Sequence, residues 1–187
     1  MSVNMLVLNG SPRKKGNSAT LAAALAGAAA AAGASVETLH LHGMDIRPCT
    51  ACEGCKKGPC IIEDDMRGIY PRLAAADAIV LASPVYWFTY SAQLKGCVDR
   101  WYGFQATGWK ELMGKRFGLV LAYGDTDLYT SGGVNAIHTV ETMVRFLRGQ
   151  LVGVVHGTLG DVGDAEQRPD LLKAAGELGR KLAGTGT

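Results

Sequence analysis

The stretch VNMLVLNGSPRKKGNS, residues 3–18, decides the fold. Its first half is a short apolar run, and its second half is a loop of glycine, serine, asparagine and cations. Residues 18–33 that follow are mostly alanine, the best helix former, and end at Gly33. A buried strand, a polar loop and a helix in that order form the opening of a β-α-β unit. The pattern returns along the chain. VETLHLH (36–42) alternates, with Leu39 and Leu41 pointing one way and His40 and His42 the other. AIVLAS (78–83) and FGLVLAYG (117–124) are continuously apolar, as central strands covered on both faces should be. LVGVVHGTL (151–159) is the fifth run.

Helical patterns separate these runs. Residues 91–102 carry Leu94, Cys97, Val98 and Trp101 on one stripe, and 134–147 carry Val134, Ile137, Val140, Val144 and Leu147. A last helix is expected over 170–183. The pattern at 64–75 contains Pro71, which must cost a backbone hydrogen bond and predicts a kink or an early stop. Alternating β and α elements imply a parallel sheet with helices on both faces: an α/β, flavodoxin-like three-layer sandwich. Its five strands take the order 2-1-3-4-5 in one domain, 1–187. In that order, ligands bind at the carboxyl ends of strands 1 and 3, so the loops at 9–17 and 84–90 should face each other across one crevice.

Composition narrows the function. A chain of 187 residues that is 48% apolar can bury a real core and is not a disordered one. A net charge of +2, scattered along the chain, gives no basis for nucleic-acid binding. No apolar run approaches the roughly 18 residues of a membrane span, and MSVNMLVLNG lacks the basic start of an export signal. A cytoplasmic setting is expected, with no membrane partner.

The loop NGSPRKKGNS (9–18) concentrates backbone N–H donors, hydroxyls and cations at a helix N-terminus, with Asn17 placed to cap the helix. It is not a nucleotide P-loop: Gly10 and Gly16 are one residue too far apart and Asn17 stands where the lysine belongs. No G-x-G-x-x-G is present. A terminal monophosphate fits the loop better, held by Ser11, Arg13, Asn17 and Ser18 around Gly16. The alternative is a solvated, capped turn. The loop after the third strand, SPVYWFTYS (83–91), carries Val85, Tyr86, Trp87, Phe88 and Tyr90. These cannot all pack beneath one short turn, so some should line the crevice beside a flat ring, or else form an interface patch. Pro84 is expected to stiffen that turn.

The run GSPRKKGNS, the cysteine segment leading into CIIEDDM, and ADAIVLASPVYW with LKGCVDRW together resemble the NADPH-dependent FMN reductase family, including its iron–sulfur flavoprotein branch, over residues 3–102. The resemblance implies a flavodoxin-like fold and bound FMN. Its phosphate would lie on Ser11, Arg13, Asn17 and Ser18, and Pro84, Val85, Tyr86 and Trp87 would lie along the isoalloxazine ring. Topology adds Tyr123-Gly124-Asp125 as a third wall. The resemblance further implies NAD(P)H as a transient electron donor, a small-molecule acceptor, and a homodimer or homotetramer with the aromatic segments 85–90 and 101–109 near the seam.

Four of the five cysteines fall within twelve residues, as Cys49-x2-Cys52-x2-Cys55-x4-Cys60. Such short gaps let thiolates turn toward one centre, and bacterial ferredoxin-type runs begin with the same pair. Zinc sites more often split their ligands into distant pairs. A [4Fe–4S] cluster, free thiols and zinc all remain open at this point. Lys56 and Lys57 favour thiolates under each. Cys97 is expected in the core, and no histidine is expected to bind metal or catalyse: His40 and His42 read as surface residues, His138 and His156 as structural. Flavin chemistry needs no acid–base triad, and no protein side chain is assigned as catalytic. Three functions compete: an FMN-dependent oxidoreductase moving electrons from NAD(P)H to a quinone, flavin or other small acceptor; an iron–sulfur flavoprotein carrier fed by a ferredoxin-like partner; and a cofactor-free sensing or partner-binding module.

Overall fold

The computed structural model describes residues 2–184, so the first residue and the last three of the expected domain lie outside the described residues. Five strands form the parallel sheet: β1 (Asn4–Asn9), β2 (Ser35–His40), β3 (Ala78–Tyr86), β5 (Arg116–Tyr123) and β6 (Gln150–Thr158), in the order β2-β1-β3-β5-β6. This is the expected 2-1-3-4-5 arrangement. A two-residue strand, β4 (Thr89–Tyr90), was not anticipated; it folds back antiparallel on the end of β3.

Side-chain alternation divides the central strands between two cores. Leu6 and Leu8 of β1, Ile79 and Leu81 of β3, and Phe117, Leu119 and Leu121 of β5 face one side. Helices α2 (Met66–Ala75), α3 (Ala92–Asp99) and α4 (Gly133–Phe146) cover that side. Met5, Val7, Val80, Val120 and Ala122 face the other, beneath α1 (Asn17–Ala31) and α5 (Pro169–Ala183). The alanines of α1 allow close helix packing there. A Cβ built on Gly179 of α5 would lie 2.2 Å from the Leu25 carbonyl oxygen, so the two helices meet backbone to backbone.

Three local expectations need correction. Helix α2 starts at Met66 rather than Asp64 and runs through Pro71 to Ala75, with no early stop. Pro71 costs one hydrogen bond, but the burial of Met66, Ile69 and Leu73 on the same helix holds it in place. The helix expected at 91–102 is α-helical only to Asp99, then tightens into a 3-10 helix, Arg100–Thr107. Pro84 does not stiffen a turn: it is a strand residue paired with Ala122, and the turn comes later, at Trp87-Phe88. No helix among the described residues is long and apolar enough to cross a membrane.

Candidate functional site

The loops after β1 and β3 meet at the carboxyl edge of the sheet and are bonded to each other. Gly10 N–H donates to the Ala82 carbonyl at 2.8 Å. Ser91 Oγ donates to the Gly10 carbonyl at 2.7 Å, and Ser91 N–H donates to Ser83 Oγ at 2.8 Å. Ser91 Oγ also accepts from Leu94 N–H, capping α3. Neither loop can shift without breaking buried bonds to the other.

The cleft between them is lined by Ser11, Arg13, Gly16, Asn17 and Ser18 from the first loop and by Pro84, Val85 and Tyr86 from β3. The ends of β5 and β6 close it with Tyr123, Gly124, Leu159, Gly160 and Val162. The cleft holds about 120 Å³, below the size of a whole small-molecule pocket, so a phosphate-sized group fits it and a larger ring would extend toward its open side.

The inner end fits an anion. The first N–H groups of α1 have no intrahelical partner, and no side chain caps them at Gly16. Ser18 Oγ is buried with no hydrogen-bond partner. A Cβ on Gly16 would come within 2.8 Å of Ser11 Oγ and 3.2 Å of Arg13 Cβ, so only glycine lets the loop close this tightly. Ser11 Oγ donates to the Arg13 carbonyl and accepts from Arg13 N–H, which folds the loop into a turn. The Arg13 side chain is exposed and forms no ion pair among the described residues.

Asn17 plays a different part from the one expected. It is the first residue of α1, not its cap. Its amide donates to the carbonyls of Leu159 (3.1 Å) and Asp161 (2.8 Å), and its Oδ1 accepts from Ala165 N–H. The side chain therefore anchors the loop after β6, leaving only the Asn17 backbone for a ligand. That loop, with Leu159, Gly160 and Val162, is a wall the motif reading missed. The available signal was topological, since every parallel strand ends on this same edge.

Asn9 is a second unanticipated support. Its Oδ1 accepts from Ser11 N–H at 3.0 Å, so its Nδ2 is the donor toward His40 Nδ1 at 3.2 Å. His40 must then carry its proton on Nε2, which is buried without a partner. His40 is thus half-buried beneath the cradle rather than a surface residue. Burial, then the charges of His42 and Lys14, lowers its pKa from the ordinary histidine value. His138 is exposed beside Glu141, and His156 Nδ1 lies 2.9 Å from Tyr123 Oη.

Two expected residues are not in the cleft. Asp125 is exposed beyond it. Trp87 is 92% exposed at the tip of the β3–β4 hairpin. Trp87 and Phe88 both have positive φ, 49° and 71°, in a two-residue turn that usually takes Asn-Gly. Bulky residues there cost roughly 1–2 kcal/mol each. The turn is held from below by Asn135 Nδ2, which donates to the Phe88 carbonyl, and it presses against Gly132, where a Cβ would lie 2.5 Å from Phe88 Cβ.

The four clustered cysteines line a separate hollow of about 420 Å³, with Ile62, Arg100, Tyr102 and Gln105 among its other walls. None is in a disulfide; Cys49 and Cys52 are exposed, Cys55 and Cys60 half-buried, and Cys97 lies in the core as expected. A single zinc with Zn–S near 2.3 Å needs sulfurs only about 3.8 Å apart. Among the described residues, no group of three or more His, Cys, Asp or Glu is placed to hold one metal ion. All four thiols line this one hollow, and thiolates are the ligand type that a [4Fe–4S] cluster would take. Burial raises the Cys55 thiol pKa. Burial would raise Cys60 too, but the Ile62 N–H and the Arg100 guanidinium outweigh it and lower its pKa.

Comparison with known proteins places these features. A family model described as NADPH-dependent FMN reductase matches residues 3–161, well past the 3–102 that the motifs covered. An iron–sulfur flavoprotein of Archaeoglobus fulgidus is 33% identical over 179 residues, 93% of this chain and 76% of that one. Another, of Methanosarcina thermophila, is 39% identical over 94 residues, 50% of this chain and 49% of that one. In fold, an NAD(P)H:quinone oxidoreductase of Methanothermobacter marburgensis superposes with a TM-score of 0.77 at 22% identity, covering 100% of this chain and 99% of the other.

Proposed function

Because this chain belongs to the NADPH-dependent FMN reductase family, close to its iron–sulfur flavoprotein branch, we propose that it is an FMN-dependent oxidoreductase taking electrons from NAD(P)H and passing them to a quinone, a second flavin or another small acceptor. The observation that carries this reading is the bonded junction of the β1 and β3 loops, with the unpartnered Ser18 hydroxyl at its inner end. Ser11, Arg13 and Ser18, with the N–H groups at Gly16 and Asn17, would hold the FMN phosphate. Pro84, Val85, Tyr86, Tyr123 and Gly124 would border the ring. Bound FMN supplies hydride acceptance and the release of electrons singly or in pairs. The chain's own task is to fix the ring edge with backbone groups and leave one face open, which calls for no general acid or base. The test is absorbance spectroscopy of the FMN-loaded protein without oxygen. Rapid bleaching by NADH or NADPH is expected; an oxidised spectrum persisting with both overturns the reading.

The cysteine hollow favours a second reading, in which Cys49, Cys52, Cys55 and Cys60 hold a [4Fe–4S] cluster that receives electrons from a ferredoxin-like protein. The shared hollow and the relatives named iron–sulfur flavoprotein support it. Fast reduction by a low-potential protein donor, with little reaction toward NAD(P)H, distinguishes it from the first. Exposed Tyr86, Trp87, Phe88 and Tyr129 support a homodimer or homotetramer that covers this edge; a monomer by light scattering overturns that part.

A further inference from the structure

Beneath the cysteine segment lies a buried ion pair that the flavin cleft does not use. The side chains of Arg100 and Asp64 are 1% and 0% exposed. Asp64 accepts from the backbone N–H of Arg47 (2.9 Å) and of Met66 (3.1 Å) and binds both terminal nitrogens of the guanidinium. Arg100 Nη1 donates to the Arg47 carbonyl at 2.8 Å, and the Tyr70 hydroxyl donates to the Arg100 carbonyl at 2.8 Å. Arg47 precedes the first cysteine of the run by two residues, and Asp64 follows the last by four. The pair therefore clamps both ends of the segment onto the start of the 3-10 helix at Arg100.

A buried ion pair is a poor device for stability alone, because well-packed apolar groups usually serve as well. What apolar groups cannot do is donate to sulfur. Arg100 Nη2 lies 3.4 Å from Cys60 Sγ. Cys55 Sγ instead donates to the Gln105 side-chain Oε1 at 3.6 Å, and Cys49 and Cys52 are exposed. Cys60 is thus distinguished from the other three by a buried guanidinium at its sulfur. Reduction of a cluster adds negative charge to its thiolate ligands, and hydrogen bonds to those sulfurs are among the factors that set its potential. Asp64 balances the charge of Arg100, leaving the directed N–H as the surviving influence.

We infer that Arg100 is a positioning residue for the cluster: its Nη2–H fixes Cys60 and raises the cluster's reduction potential, while Asp64 makes the buried cation tolerable. This rests on the cluster reading above. The test uses the Asp64→Asn/Arg100→Gln double variant, which removes both charges together and strands neither. Wild type and variant are prepared without oxygen and compared for FMN, iron and acid-labile sulfide per chain, and for the cluster midpoint potential by EPR-monitored titration. FMN and iron retained near wild-type levels, a cluster potential shifted negative and an unmoved flavin potential are expected, with Arg100→Lys intermediate. Full iron with an unchanged cluster potential overturns the inference and leaves the cluster reading intact. Wild type without iron or sulfide overturns the cluster reading, and the inference with it. Where the double variant fails to hold FMN or iron, wild type carrying nitrogen-15 arginine decides: a nitrogen-15 coupling in the ENDOR spectrum of the reduced cluster is expected, and its absence overturns the inference.

Discussion

The walls of the cleft are the carboxyl ends of strands, the loops that follow them and the first turn of α1, whereas no strand borders the cysteine hollow. The cleft's loops are bonded to one another through Gly10, Ala82, Ser83 and Ser91, and through Asn17 to the loop after β6. The hollow lies between an irregular segment with a single 3-10 turn, Gly54–Lys56, and the 3-10 helix Arg100–Thr107. It is gripped from below by Arg100 and Asp64. One site is a by-product of sheet topology, and damage to it should spread to its neighbours. The other is local chemistry fastened to the fold at a few points, and it should fail alone.

The sharpest break between the two is Cys52→Ser. If the four cysteines hold a cluster, it should abolish iron and acid-labile sulfide while FMN stays bound, measured by iron assay beside flavin absorbance. Loss of both groups together would mean the sites are not separable. Gly16→Ala should act in the opposite sense. Its methyl has no room against Ser11 Oγ and Arg13 Cβ, and overpacking of this kind costs about 1–3 kcal/mol. FMN affinity should fall roughly tenfold or more, read by fluorescence titration, with iron content unchanged.

Arg13→Ala is milder, because the side chain is exposed. A weakening of about 1–2 kcal/mol is expected for FMN and none for riboflavin, which lacks the phosphate. Equal losses for both would move Arg13 away from the phosphate.

The smallest effect is a pH dependence at His40. Its lowered folded pKa means that the unfolded chain binds the proton more readily. The stability contributed by neutral His40 is complete above the ordinary value of 6.5 and drains as pH falls below it. Protonation would set two donors, Asn9 Nδ2 and His40 Nδ1, against each other beneath the cradle. The melting temperature of FMN-free protein should therefore decline on acidification, with a shallower decline in His40→Gln. Identical slopes would remove His40 as the cause.

Sheet order, the meeting of the first and third loops, and the glycine and hydroxyl chemistry of residues 10–18 were determined by sequence, because alternation, helix starts and strand-to-loop transitions are local properties. The spacing of the cysteines was equally legible. Only the tertiary structure decided that the Asn17 amide serves the loop after β6, that His40 and Asn9 support the cradle, that Trp87 stands out in solvent, and that Asp64 and Arg100 meet beneath Cys60. Each of these depends on a partner many residues away, or on a turn whose backbone its residue types do not favour. A side chain's hydrogen-bonding capacity can be read from its name, but which neighbour uses it is settled when distant segments are brought together.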